Sequence, residues 1–152
     1  MITDAQYEAA RAVAQKHFRE RKDVRSKTCG EFLEYNKANP EVYETFVRLL
    51  RESKQRGYTA WSIQGVIEIA RWEVALDVVK TDQFKFPNAY GAYYSRLIMI
   101  EERDLYGFMR VSASEADHEL GWSRFKIEMD RAEKKSPQGV TDVAPAYPNV
   151  AI

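Results

Sequence analysis

The chain has 152 residues, 23 Lys/Arg against 23 Asp/Glu, 45% hydrophobic and 30% charged residues. This is the composition of one globular domain with a core large enough to need no disulfide or metal staple. Zero net charge excludes a histone-like polycation but leaves room for a local basic face; no apolar run spans a membrane, the N-terminus lacks an apolar signal core, and the single Cys29 excludes an intrachain disulfide and fits a reducing cytoplasm.

Charge shifts along the chain. Residues 1–39 hold eight Lys/Arg and six Asp/Glu, residues 40–112 ten of each, and residues 113–152 five against seven. Twelve of the nineteen aromatics lie between Tyr43 and Phe108, so the core is expected there. The expected organisation is an N-terminal helix and charged segment (1–27), a helical core (28–112), a C-terminal helix (113–135) and an extended tail (136–152) that holds three of the five prolines.

Thr3 or Asp4 caps the first helix, in which Ala9, Ala10, Val13, Ala14 and His17/Phe18 recur at helical spacing. The charged run Arg19 to Lys27 reads as its solvated end. Thr28-Cys29-Gly30-Glu31 has capping-box spacing and predicts a brief second helix with Phe32, Leu33 and Tyr35 on its apolar side. Asn39-Pro40 starts a third helix, carrying Val42, Tyr43, Phe46, Val47, Leu49 and Leu50, and Gly57 ends it. Thr59 caps a fourth, over residues 60–79, apolar nearly all round and therefore expected to be central. Phe84-Lys85-Phe86 alternates as a short strand, and Pro87 stops it. Asn88 caps a fifth helix over residues 89–103. Tyr90, Tyr93, Tyr94, Leu97, Ile98 and Ile100 form its expected buried side, and Ala92, Ser95, Arg96, Met99 and Arg103 lie opposite. After Gly107, Phe108-Met109-Arg110-Val111 reads as a second strand, and Ser114 caps a last helix to Lys135. The expected fold is mostly α with one two-stranded β ribbon, close to a winged helix except that a helix separates the two strands.

Several of these segments carry a likeness. Asn39-Pro40-x-Val42-Tyr43-x-x-Phe46, Arg56-Gly57-Tyr58, Ile69-Ala70-Arg71-Trp72, Phe84-Lys85-Phe86-Pro87-Asn88, Tyr93-Tyr94-Ser95-Arg96-Leu97 and Tyr106-Gly107-Phe108 resemble a family of small bacteriophage and prophage proteins without an established activity. The resemblance covers about residues 32–112 and implies a phage origin but no mechanism. The chain departs from the family pattern at Pro87, where asparagine is usual.

No catalytic motif is present: no GxSxG, Walker loop, GxGxxG or HExxH. Asp117-His118-Glu119 are consecutive on an expected helix and point three ways, so no metal site and no cofactor are expected. Cys29, near Lys27 and a helix N-terminus, reads as a structural thiol. Glu101-Glu102 and Glu68 with Glu73 are candidate acid–base pairs, with Glu73 read as a structural ion pair to Arg71 or Arg96. The expected function is non-enzymatic binding of duplex DNA, with Lys85 on phosphate and Asn88, Ser95, Arg96 and Arg103 facing a groove. The alternative is a phage protein that binds a host or phage protein through Trp122, Phe125 and the tail residue Tyr147, or that forms a homodimer.

Overall fold

A computed structural model describes residues 1–77, 89–112 and 114–135. Among these residues lie six α-helices: α1 (Asp4–Glu20), α2 (Lys27–Ala38), α3 (Pro40–Gln55), α4 (Ile63–Asp77), α5 (Ala89–Glu101) and α6 (Trp122–Lys135). Single 3₁₀ turns fall at Lys22–Val24, Arg103–Leu105 and Glu115–His118.

The helix ends follow from local chemistry. Thr3 Oγ1 accepts the Gln6 amide and Gln6 Oε1 accepts the Thr3 amide, a reciprocal box that starts α1. The cap of α2 is Ser26 rather than Thr28, its Oγ accepting the Cys29 amide at 3.0 Å. α3 starts at Pro40, as its sequence dictates. It closes with the Gly57 amide on Lys54 O and the Tyr58 amide on Ser53 O, an arrangement that needs Gly57 at φ +99°. α4 begins later than Thr59 predicts, because Ser62 Oγ takes the Gly65 amide.

The central helix is α5, not α4. Tyr90, Gly91, Tyr93, Tyr94, Ser95, Arg96, Ile98, Met99 and Ile100 are all buried, so α5 is enclosed on every side. α4 packs against α3 and α5 through Val66, Ile67 and Ala70, whereas Ile69 and Trp72 face solvent at 38% and 68% exposure. Gly91 permits the close approach, since a Cβ there would meet Ile67 Cδ1 at 3.3 Å. Phe32 of α2 sits among Tyr90, Tyr93 and Tyr94, with ring centroids 5.7, 5.2 and 4.9 Å away, and Phe46 of α3 meets Tyr94 at 5.0 Å. α1 lies along α6, the most extensive pair among the described helices, and Tyr7 joins both to α5 by donating its hydroxyl to Ile100 O, with Met99 O also in reach.

The expected β ribbon and winged-helix arrangement are not found. Among the described residues there is no strand, only one isolated parallel bridge between Trp61 and Met109, with the Trp61 amide on Phe108 O at 3.0 Å. Residues 108–111 therefore form no ladder with the described residues beyond this one bridge, although Phe108 and Met109 are both buried. The other expected strand, Phe84 to Phe86, lies outside the described residues. The last helix is also shorter than expected. The chain from Ser114 makes a 3₁₀ turn and then bends at Gly121 (φ +80°), so α6 starts only at Trp122. A Cβ at Gly121 would lie 2.3 Å from Ala14 O, so glycine alone lets α1 approach here. No described helix is long and apolar enough to cross a membrane.

Candidate anion-binding site

The turn between α1 and α2 gathers positive charge. Arg21 caps the C-terminus of α1, its amide on His17 O and Phe18 O. The chain makes the Lys22–Val24 turn, and Arg25 folds back over α1, its guanidinium 3.9 Å above the Phe18 ring and one nitrogen donating to Phe18 O at 3.2 Å. Glu119, arriving from the loop before α6, pins the turn. Its carboxylate accepts the Ser26 amide (2.8 Å), Ser26 Oγ (3.0 Å) and Tyr93 Oη (2.6 Å). Burial alone would raise the Glu119 carboxyl, but the hydrogen bonds from Tyr93 and Ser26 and the charge of Arg21 hold it below its ordinary value. These elements enclose an open cleft of about 280 Å³ lined by Arg21, Val24, Arg25, Ser26, His118 and Glu119.

Most described arginines outside this region are paired. Arg11, Arg48, Arg51, Arg71, Arg96, Arg103 and Arg131 each have a carboxylate within 4 Å. Arg21, Lys22, Arg25 and Arg124 have none among the described residues. Arg124, on the first turn of α6, and Arg21 are close enough to His17 to act on it. Burial first, and then these two charges, hold the imidazole below its ordinary value. Arg21, Lys22, Arg25 and Arg124 thus gather in one region of a molecule with no net charge, beside the acids Glu20, Asp23 and Glu119.

Two of the residues expected to face a groove, Ser95 and Arg96, are not on the surface. Arg96 is 2% exposed; Nε donates to Asp117 Oδ1 (2.6 Å), and its other nitrogens donate to Ser112 O (2.6 Å) and Ala92 O (3.0 Å). Ser95 is buried, with Oγ on Ala92 O. Arg103 fastens the N-terminus to the end of α5 by donating to Asp4 Oδ1 (2.8 Å) and Ile2 O (2.6 Å). Lys85 and Asn88 lie outside the described residues. The expected partner face on the last helix is also core: Trp122 and Phe125 are 5% and 0% exposed, Phe125 against Tyr7 and Tyr106. Tyr147 lies outside the described residues.

Asp117, His118 and Glu119 diverge to Arg96, solvent and Ser26, and among the described residues no three His, Cys, Asp or Glu side chains converge as metal ligands would. Glu73 pairs with Arg48 at 2.5 Å, not with Arg71 or Arg96. Cys29 is fully buried and burial, then Glu119, pushes its thiol up to about 11, the reverse of activation. The signal for the basic turn was present in the sequence, since five of the nine residues from Arg19 to Lys27 are Lys or Arg. No protein-family model, no curated protein and no solved structure matches the chain.

Proposed function

We propose that this chain binds duplex DNA by its phosphate backbone, through the turn between α1 and α2 and the first turn of α6. The observation that carries the reading is the gathering of Arg21, Lys22, Arg25 and Arg124, cations without carboxylate partners, in one region of a neutral molecule. Arg21, Lys22 and Arg25 outnumber Asp23, the acid inside this turn, and a local excess of positive charge raises polyanion concentration. The guanidinium of Arg25 is held in place on Phe18, so less side-chain freedom is lost when it meets a phosphate. With Arg96 and Ser95 in the core, no set of groove-reading side chains remains on α5. The expected mode is therefore sequence-independent. Four phosphate contacts give a salt slope of about −3 to −4, at roughly −0.9 per contact. A fluorescence-anisotropy titration of a random duplex at two salt concentrations tests this. The double variant Arg21→Ala/Arg25→Ala loses affinity alike on all sequences, and its slope falls by about 2. Absence of binding at low salt up to about 100 μM, the weak end of ordinary non-specific binding, overturns the reading.

One observation favours a second reading, a protein partner. Ile69 and Trp72 stand exposed three residues apart on α4, and an exposed tryptophan is an unusual residue to leave in water. An affinity pull-down in which Trp72→Ser abolishes capture of a discrete protein supports it; equal capture by both chains contradicts it.

A further inference from the structure

The chain has two histidines, far apart in sequence, and the fold brings both beside Arg21. His118 is exposed and lines the cleft of about 280 Å³ together with Arg21 and Arg25. His17, on the last turn of α1, gives its carbonyl to the Arg21 amide and lies within reach of the charges of Arg21 and Arg124. Histidine is the side chain whose charge ordinarily changes between about pH 5 and 8.

The charged groups around the two rings come from every neighbouring element. His118 faces Arg21 and Arg25 from the turn, Ser26 at the start of α2 and Glu119 next in the chain, while Asp117 is turned away to Arg96 of α5. His17 faces Glu20 and Arg21 at its own helix end and Arg124 from α6. Lys22 and Asp23 complete the turn, and Tyr93 of α5 joins the region through Glu119. Against burial, the hydrogen bonds from Tyr93 and Ser26 hold the Glu119 carboxyl below its ordinary value, so its charge is constant near neutral pH. Burial first, and then Arg124 and Arg21, oppose a proton on His17. A phosphate laid on these cations answers their charge and removes the electrostatic part of that opposition.

We propose that the basic site is proton-linked: duplex DNA and protons on His17 and His118 bind cooperatively. This regulation rests on the DNA reading of the same site. The bound chain holds more protons than the free chain, so affinity rises as pH falls, and phosphate and proton strengthen one another by the same factor.

The test is a fluorescence-anisotropy titration of a random duplex at about pH 8, 7 and 6 and fixed ionic strength. It compares the unaltered chain with His17→Gln, His118→Gln and the double variant, and near-ultraviolet circular dichroism checks that each stays folded. The expected rise from about pH 8 to about pH 6 is roughly tenfold, each imidazolium supplying about threefold as one further surface ion pair. Each single variant keeps about a threefold rise, and the double variant keeps none. Any other group that titrates contributes alike to all four chains. A rise below about twofold in the unaltered chain, or an equal rise in the double variant, overturns the linkage and leaves the DNA reading standing. Absence of binding at all three pH values overturns both.

Discussion

Replacing Arg96 by alanine separates a buried structural arginine from a DNA-reading one. The guanidinium is 2% exposed, and it bonds Asp117 Oδ1, Ser112 O and Ala92 O. Its removal leaves the Asp117 carboxylate without its countercharge and Ser112 O without this donor. Breaking a buried ion pair by deleting one partner costs about 3–5 kcal/mol, and because Asp117 is 20% exposed, water answers part of the stranded charge. The expected loss is therefore near the lower bound, about 3 kcal/mol, or roughly 6–12 °C in Tm for a chain of this length. Ser114 and Asp117 also form the capping box of the Glu115–His118 turn, so that segment should loosen as well. The assay is thermal and urea unfolding of the unaltered chain, Arg96→Ala, Asp117→Asn and the double variant. The double variant should lose less than the two single losses added together, because the two side chains act as one unit. A Tm for Arg96→Ala within about 2 °C of the unaltered chain would refute the reasoning, as would weakened DNA binding without lost stability.

Gly121→Ala meets both a left-handed backbone and the Ala14 carbonyl 2.3 Å from the new Cβ, and is expected to cost about 2–5 kcal/mol. Gly57→Ala has the backbone penalty alone, since nothing lies within 4 Å, and should cost about 1–2 kcal/mol; equal losses in urea melts would contradict this. Cys29 should resist an aromatic disulfide reagent near neutral pH until the chain is unfolded, and rapid labelling of the folded protein would show the burial to be wrong. Because His17 is held below its ordinary value, the unfolded chain takes up the proton first. Its share of stability is therefore present above about pH 6.5 and falls as pH drops below that value. His17→Gln should lose less Tm than the unaltered chain between about pH 7 and pH 5.5, and identical losses would count against the cationic surroundings of His17.

Much of the helical plan is legible in the sequence because caps are local. Thr3, Pro40 and Gly57 act within four or five residues of their own position and each marks a helix end, whereas the Asn39 side chain does not cap α3 but donates to Tyr35 O. Where two hydroxyls compete, sequence does not choose. Ser26 wins over Thr28 while also holding Glu119, ninety-three residues away. The choice of central helix fails for the same reason. α4 and α5 are about equally rich in large apolar residues, but α5 carries Gly91 for close approach and an Arg96 whose charge is answered by Asp117. A polar residue with a distant partner reads as a surface residue until the partner is known. The strand reading of residues 108–111 took its period from too few positions, and the segment finds a partner among the described residues only at the single bridge from Met109 to Trp61. The basic run is visible as composition; its lack of partners is not. Pairs such as Arg48 with Glu73, Arg51 with Asp104 and Arg103 with Asp4 form across 25, 53 and 99 residues, a separation no local pattern reveals.

The most direct test of the DNA reading is a ¹H–¹⁵N spectrum of the labelled chain titrated with a short random duplex at low salt. Phosphate on the proposed site should move the amides of residues 21–27 and 118–125 and raise the His17 pKa, as the charges of Arg21 and Arg124 are answered by the backbone. Shifts confined to residues 89–103, with the turn between α1 and α2 unmoved and the His17 titration unchanged, would contradict the account.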